Sequence, residues 1–141
     1  MKNLLRFALL TFIIFAITAL PGCEKDDNNN NTEKIALLTA HTWNLDKLST
    51  TSTHPDIQQM VKTYDVMLAN ATLNFATDGT YTHTVVGATE NETWKFNEDG
   101  TVLFIGDDAM FLINLTNDVL EYTQGMQAFN LTYVLTWKWV K

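Results

Sequence analysis

The last fourteen residues, AFNLTYVLTWKWVK, alternate between large apolar side chains and mostly small or polar ones. Successive side chains of a β-strand point to opposite faces, so this alternation predicts a long strand with one apolar face. A strand of this length is typical of a curved sheet or a closed barrel. The apolar positions are Phe129, Leu131, Tyr133, Leu135, Trp137 and Trp139.

Similar β-rich runs, separated by short turn signals, occupy most of the chain from residue 42 onward. They predict eight strands, at about residues 42–48, 71–77, 80–87, 91–97, 101–106, 110–116, 119–124 and 128–140. Because all neighbours after the first strand are joined by short links, they form a meander of hairpins. Closing the meander removes exposed sheet edges, so we predict an all-β fold, an eight-stranded up-and-down antiparallel barrel.

The pattern F-x-x-D-G-T occurs twice, at residues 75–80 and 96–101, and each copy lies between two predicted strands. A three-residue loop in each copy places bulky residues opposite one another and gives glycine a left-handed backbone position. The predicted cross-strand pairs are Phe75 with Tyr81, Leu73 with His83, Phe96 with Val102 and Trp94 with Phe104.

The segment between the first two predicted strands has a different period. Its apolar residues recur at helical spacing, and Pro55 suits the first position of a helix. We therefore predict one helix at about residues 55–69, between strands one and two. Its apolar positions are Ile57, Met60, Val61, Tyr64 and Leu68.

The start of the chain has the pattern of an export signal. Lys2 and Arg6 lead into fourteen uncharged residues, a run that suits a signal-peptide core and is too short for a membrane span. The Leu-Pro-Gly-Cys that ends at Cys23 resembles a bacterial lipobox, in which the cysteine is joined to a lipid and the chain is cut before it. This resemblance implies a signal peptide at residues 1–22 and membrane attachment through lipid on Cys23. An ordinary secretory signal followed by a free cysteine is the alternative.

The polar segment after Cys23 predicts a lipidated flexible tether at residues 23–34, because it begins with a run that has no apolar side chains to pack. Its Lys25-Asp26-Asp27 resembles the export signal of surface-displayed lipoproteins of Bacteroidota. That resemblance implies an outer-membrane lipoprotein exposed at the cell surface. Anchoring on the periplasmic face is the alternative.

Charge and motif content narrow the function further. Without Lys2 and Arg6, the chain has seven lysines against sixteen acidic residues and a net charge of −9. It then has no arginine, which argues against nucleic acid as a partner. The sequence contains no catalytic motif, and its three histidines lack the spacing of a metal site. We therefore expect no enzymatic activity, no metal and no cofactor.

Four sheet-building patterns occur along the chain. They are Leu37-Leu38 with Trp43-Asn44-Leu45, Phe75 with Asp78-Gly79-Thr80-Tyr81, Thr93-Trp94-Lys95-Phe96 with Asp99-Gly100-Thr101, and the closing Trp137. Together these patterns resemble the lipocalin-like domains of Bacteroidota lipoproteins. The resemblance covers roughly residues 35–141 and implies one lipocalin-like β-barrel domain. It implies an architecture more than a function, since most members of that family have no known activity.

An eight-stranded barrel is either filled by its own side chains or just wide enough to hold one small ligand. We expect a membrane-anchored binding module with a pocket near the 55–69 helix. Its ligand would be apolar or amphipathic, with at most one polar end. His83 would face the interior, either bonded to a hydroxyl such as that of Tyr81 or Tyr133, or free as a polar anchor for the ligand. The predicted ligand-binding residues are Tyr81, His83, Tyr133, Leu135 and Trp137.

The alternative function is a structural or protein-interaction accessory lipoprotein of the cell envelope, with a filled barrel and no ligand. The many aromatic side chains favour such a filled interior. An envelope protein partner would then bind an outer apolar patch. The predicted register places Leu103 and Ile105 in such a patch.

Overall fold

The computed structural model describes residues 27–141, so the predicted signal peptide and Cys23 lie outside the described residues. Eight antiparallel strands close into a barrel, in which each strand pairs with the next and β8 pairs with β1. The up-and-down barrel predicted from the sequence is confirmed. The strands are β1 (Thr42–Thr50), β2 (Thr72–Phe75), β3 (Thr80–Val85), β4 (Ala88–Phe96), β5 (Val102–Ile105), β6 (Asp108–Leu115), β7 (Val119–Ala128) and β8 (Leu131–Val140).

Two helices flank the first strand. Helix α1 (Asp27–Thr39) precedes β1, and helix α2 (Pro55–Met67) lies between β1 and β2, as the helical spacing predicts. Pro55 lies in the first turn of α2, where its missing N–H costs no hydrogen bond, and Asp56 adds a carboxylate at the positive end of the helix dipole. Neither helix of residues 27–141 has the length and apolar character needed to span a bilayer.

The barrel has two differently built ends. The closed end carries α1 and the β2–β3, β4–β5 and β6–β7 turns, whereas the open end carries α2 and the β3–β4, β5–β6 and β7–β8 turns. At the closed end, Leu38 of α1 is fully buried, and Trp43 Nε1 donates a hydrogen bond to its carbonyl oxygen at 2.9 Å. Helix α1 therefore covers the barrel interior at this end.

Helix α1 corrects the tether predicted at residues 23–34, since its first eight residues fall within that segment. Asn31 Nδ2 donates to the carbonyl oxygens of Asn97 and Glu98, both at 3.1 Å, and Lys34 Nζ donates to Gly100 O at 2.8 Å. Polar side chains thus hold the start of α1 against the β4–β5 turn. The tether was predicted from the lack of apolar side chains, and that reasoning does not take such polar contacts into account.

The two F-x-x-D-G-T turns have the same glycine geometry. Both glycines have a positive φ, 85° at Gly79 and 68° at Gly100, as predicted. In the first turn, the three-residue loop is confirmed as well. Its observed pairs are Phe75 with Tyr81 and Leu73 with His83.

In the second turn, the predicted register is wrong by one residue. Asn97 Oδ1 accepts a hydrogen bond from Val102 N–H, and the Asn97 backbone N–H donates to Val102 O, both at 2.9 Å. The loop therefore has four residues, and the Asn97 side chain explains the difference, because the first copy has Ala76 at the equivalent position. The observed pairs are Phe96 with Leu103 and Trp94 with Ile105, in place of Phe96 with Val102 and Trp94 with Phe104.

This one-residue shift exchanges the two faces of β5. Leu103 is fully buried in the core, and Ile105 packs against the same core, so the predicted outer patch of these two residues is wrong. Phe104 lies on the opposite face of β5 from these two residues, and Lys95 Nζ sits 5.8 Å from the centre of its ring.

The β7–β8 hairpin turns later than predicted. Strand β7 continues through Gly125 to Ala128, and the turn consists of Phe129 and Asn130, with φ values of 55° and 60°. Phe129 is therefore exposed and is not part of the interior face predicted for residues 128–140. Since the alternation of β7 continues past Gly125, the single glycine there does not mark a turn.

Candidate functional site: a cavity at the open end

A cavity of about 800 Å³ lies inside the barrel and reaches the surface at the open end. Strands β3 to β8 and the β5–β6 turn provide its lining. Its volume falls within the range of small-molecule sites in proteins. Helix α2 packs on β1 and the start of β8, to one side of this cavity.

The deep part of the cavity has an aromatic wall, formed by Tyr81, Trp94, Tyr122, Trp137 and Trp139. The rings of Trp137 and Trp139 are parallel within 7°, with centroids 6.0 Å apart, and Tyr122 stacks on Trp137 at 6.3 Å. These side chains meet because they occupy inward-facing positions on neighbouring strands. The wall offers flat apolar surfaces to a ligand.

The mouth of the cavity carries four carboxylates, those of Glu90, Glu92, Asp107 and Asp108. In the β3–β4 ladder, Glu90 and Glu92 pair with inward-facing residues of β3, so both side chains start from the interior face. Asp107 and Asp108 belong to the β5–β6 hairpin, and Asp108 pairs with the inward-facing Ile105. All four are exposed, so the polar part of the cavity is its solvent-facing part.

His83 lies between the aromatic wall and the mouth. Its ring centroid is 6.3 Å from those of Tyr81 and Trp139, and its β4 partner is Glu90. Burial lowers the pKa of His83 below its ordinary value of 6.5, and the charge of Glu90 partly opposes this effect. His83 Nε2 is buried without a hydrogen-bond partner among residues 27–141, and no bond joins His83 to the Tyr81 or Tyr133 hydroxyl.

The four tryptophans form two pairs that differ in hydrogen bonding. Trp43 Nε1 and Trp94 Nε1 each donate to a backbone carbonyl oxygen at 2.9 Å. Trp137 Nε1 and Trp139 Nε1 are buried, and neither has a partner of standard geometry within the described part of the chain. Burial raises the pKa of Tyr122, and the neighbouring Trp139 indole opposes that rise without completing a standard hydrogen bond.

Three of the five predicted ligand-binding residues, Tyr81, His83 and Trp137, line the cavity. Tyr133 and Leu135 do not, because they belong to a separate buried cluster beneath helix α2. Helix α2 thus packs against the part of the barrel in which the pocket was predicted. The cavity lies at the expected end of the barrel but away from the helix.

The acidic mouth was missed from the sequence, although a signal for it exists. In the segment ATENETWKF, Glu90 and Glu92 stand in phase with Trp94 and Phe96, which are inward-facing apolar residues. Extending that alternation backwards along the strand predicts inward-facing glutamates. Within residues 27–141, no three His, Cys, Asp or Glu side chains are close enough together to hold a metal ion.

No protein-family model matches the chain, and neither does any curated protein. Among solved structures, the chain is similar to the crystal structure of a DUF4847 family protein from Bacteroides vulgatus ATCC 8482. The two are 14% identical, the TM-score is 0.46, and the match covers 71% of this chain and 93% of that chain. A similarity at this level carries no argument about the function of the cavity.

Proposed function

We propose that the protein is a membrane-anchored lipoprotein whose lipocalin-like barrel binds one small amphipathic ligand in the open-end cavity. The observation that carries this proposal is the cavity of about 800 Å³, whose aromatic wall and neighbouring His83 contain buried, unpaired ring nitrogens. Small-molecule sites are typically concave and mostly apolar, with a few polar groups that fix the orientation of the ligand.

The unpaired nitrogens favour ligand binding in the cavity energetically. A buried polar group without a partner costs about 1–3 kcal/mol. Trp137 Nε1 and His83 Nε2 are in this state among the described residues, and Trp139 Nε1 makes only a non-standard contact with Tyr122. A ligand that brings hydrogen-bonding atoms to these rings removes part of that cost. This favours a binding protein over the accessory protein with a filled barrel, because the open half contains this cavity beside the cluster under α2.

We infer a binding role and not a catalytic one. A catalytic imidazole needs a nucleophile or a reacting group within hydrogen-bond reach. His83 is the histidine of the cavity, and its Nε2 contacts no hydroxyl or other partner in residues 27–141. We likewise propose no cofactor and, given the acidic charge, no nucleic-acid partner.

We propose that lipid on Cys23 attaches the barrel to the outer membrane by its closed end. Asn31, eight residues after Cys23, is hydrogen-bonded to the β4–β5 turn of the closed end. Because half of this segment is helical, its reach is about 20 Å. The acyl chains then stay near the closed end, and the open end faces the aqueous phase. The proposed location is the cell surface, with the periplasmic face as the alternative.

Ligand binding is tested with N-phenyl-1-naphthylamine, a neutral probe that becomes fluorescent in apolar surroundings. It is titrated into the mature chain from residue 23, carrying Cys23→Ser so that it is produced without lipid. We expect a saturable rise in fluorescence. Met110→Trp should abolish it, because Met110 is buried in the cavity lining, whereas Ile113→Trp on the exposed face of the same strand should not. A wild-type chain without the rise, or the same loss in both folded variants, would contradict the proposal.

Lipid attachment is tested by Cys23→Ala and cell fractionation. The wild-type protein should partition into detergent and the variant should not, because diacylation requires the cysteine thiol and stable anchoring requires more than one acyl chain. A variant that partitions like the wild-type protein would show that Cys23 is not the anchor.

A further inference from the structure

We infer that the ligand carries a positive charge. The cavity fits an amphipathic amine or ammonium, with its cationic end among the carboxylates of the mouth and its apolar body against the aromatic wall. This inference rests on the proposed binding function and specifies its ligand class. It is based on the presence of four carboxylates and an aromatic wall in the lining of one cavity.

The charge of the mouth is not balanced by the protein. The ion pairs of the described residues involve Asp46, Asp56 and Asp118, and none includes a carboxylate of the mouth. Lys95 also lines the cavity, but its Nζ lies 5.8 Å from the centre of the Phe104 ring and forms no ion pair with these carboxylates within the described residues. Four carboxylates against one lysine leave the cavity lining with a net negative charge that a cation can neutralise.

The placement of the two glutamates argues against a role in solubility alone. A solubilising carboxylate would be placed on the outer face of β4, yet Glu90 and Glu92 share the inner face with Trp94. All four carboxylates of the mouth line the same cavity. A clustered negative charge in a cleft also raises the local concentration of cationic ligands.

The aromatic wall supplies an independent observation. Trp139 is only 1% exposed and lines the cavity, and its Nε1 has no hydrogen-bond partner of standard geometry among the described residues. Trp137, stacked on it, is unpaired in the same way. An indole N–H needs an acceptor, and an indole face attracts cations. These groups together select a ligand with a cationic end, an apolar body and an acceptor atom on that body.

The same arrangement disfavours anionic ligands such as fatty acids. If the carboxylate of such a ligand pointed outward, it would meet Glu90, Glu92, Asp107 and Asp108. If it pointed inward, it would lose its hydration against an aromatic wall without gaining a partner of opposite charge. Charge therefore discriminates between ligands that share one apolar body.

The test uses three probes that share a phenylbutyl group: phenylbutylamine, phenylbutanol and phenylbutyrate. Their binding to the mature Cys23→Ser chain is measured by isothermal titration calorimetry at neutral pH. We expect the amine to bind about tenfold or more tightly than the alcohol, and the acid to bind most weakly, since one charge pair near the surface is worth about that factor. High salt should weaken only the amine.

Two matched variants locate the effect. Glu90→Gln/Glu92→Gln should reduce amine binding to the level of the alcohol and leave the alcohol unchanged. Glu98→Gln/Glu121→Gln removes the same charge at the closed end and on the outer face, and should leave all three probes unchanged. Because both pairs exchange exposed or partly exposed carboxylates for amides of similar shape, folding should be preserved.

The outcomes separate this inference from the proposed function. If none of the three probes binds, and the naphthylamine probe does not bind either, both the function and the ligand class are wrong. If the alcohol or the acid binds as tightly as the amine, the cavity binds ligands but the inference of a cationic ligand is wrong. Equal losses of amine binding in the two double variants would show an effect of net charge and would also overturn the inference.

Discussion

The ring nitrogens of the closed-end core and those around the open-end cavity differ in hydrogen bonding. At the closed end, the Trp43 indole bonds to α1, and Trp94, which extends from this end into the cavity wall, is paired as well. Around the open-end cavity, Trp137, Trp139 and His83 hold buried nitrogens without partners in residues 27–141. The same residue type is therefore hydrogen-bonded to the backbone at Trp43 and Trp94 and left without a standard hydrogen bond at Trp137 and Trp139. Under the proposed binding function, this contrast marks where the fold gives up stability for ligand binding.

Backbone strain also differs between the two ends and is greater at the open end. At the closed end, the turn residues at positive φ are Gly79 and Gly100, for which this conformation is inexpensive. At the open end, Val86, Phe129 and Asn130 have φ values of 49°, 55° and 60°. A β-branched residue such as valine is strained in that region, and strain of this kind concentrates at functional sites. The open end is thus the more costly end in its backbone too.

The largest expected effect comes from the same substitution at two tryptophans. Trp43→Ala removes a fully buried ring together with its bond to Leu38, and should lower the free energy of unfolding by about 3–5 kcal/mol. Trp137→Ala should cost at most about half as much, because Trp137 is only partly buried, borders a cavity and has an unpaired N–H. Urea unfolding of both variants measures the difference. Equal losses would show that the two halves of the barrel are packed alike.

A smaller difference is expected between the two glycine turns. Gly79→Ala and Gly100→Ala each put a side chain at positive φ, at a cost of about 1–2 kcal/mol. A Cβ at Gly100 would also collide with Asn31 and Lys34 of α1, whereas at Gly79 the nearest atom, Trp94 O, is at an ordinary 3.6 Å. Gly100→Ala should therefore lose about 1 kcal/mol more, the value of a hydrogen bond that holds α1.

The control for this comparison removes the contacts of α1 first. In an Asn31→Ala/Lys34→Ala background, Gly100→Ala and Gly79→Ala should reduce the urea midpoint equally. If Gly100→Ala remains the more damaging substitution there, the attachment of α1 is not the reason for the difference.

The barrel could be predicted from the sequence because strand alternation and short links are local properties of the chain. The first F-x-x-D-G-T turn followed from the same local rules. The second did not, because Asn97, at a variable position of the motif, bonds through its side chain to Val102 and lengthens the loop. One polar side chain thus reversed the faces of β5, and no hydrophobic pattern contains that information. The attachment of α1 through Asn31 was missed for a similar reason.

The candidate site could be predicted in part. Trp137 and His83 followed from alternation and hairpin register. Tyr133 and Leu135 have the same alternation, but whether they reach the cavity depends on where α2 packs, which is a tertiary contact. Glu90 and Glu92 were in phase with inward-facing residues, yet charged side chains are ordinarily expected on the outer face of a strand. That expectation fails for these two glutamates because their inward-facing side chains line an open cavity.

The pH dependence of stability should also separate the two ends. In the closed-end turns, the Asp78 and Asp99 carboxylates accept hydrogen bonds chiefly from the side chains of Thr80 and Thr101, which hold their pKa values below the ordinary 3.8. Their contribution to stability is complete above the pKa of the unfolded chain, and it is lost as pH falls through the lower folded pKa values. The contribution of these two closed-end turns to the free energy of unfolding should therefore be lost only below about pH 4.

The smallest expected effect, from His83 at the open end, lies in a different pH window. Burial holds the pKa of His83 below 6.5, so between that lower value and 6.5 the unfolded chain binds a proton that the folded chain does not. Stability should then fall as pH drops below about 6.5, until the folded pKa is passed. In urea midpoints measured across pH, His83→Gln should flatten this window and leave the acid loss from Asp78 and Asp99 unchanged. Glu90→Gln, which removes the charge that opposes the shift, should deepen it. A His83→Gln profile that superposes on the wild-type profile would show that this imidazole titrates alike in the folded and unfolded chains.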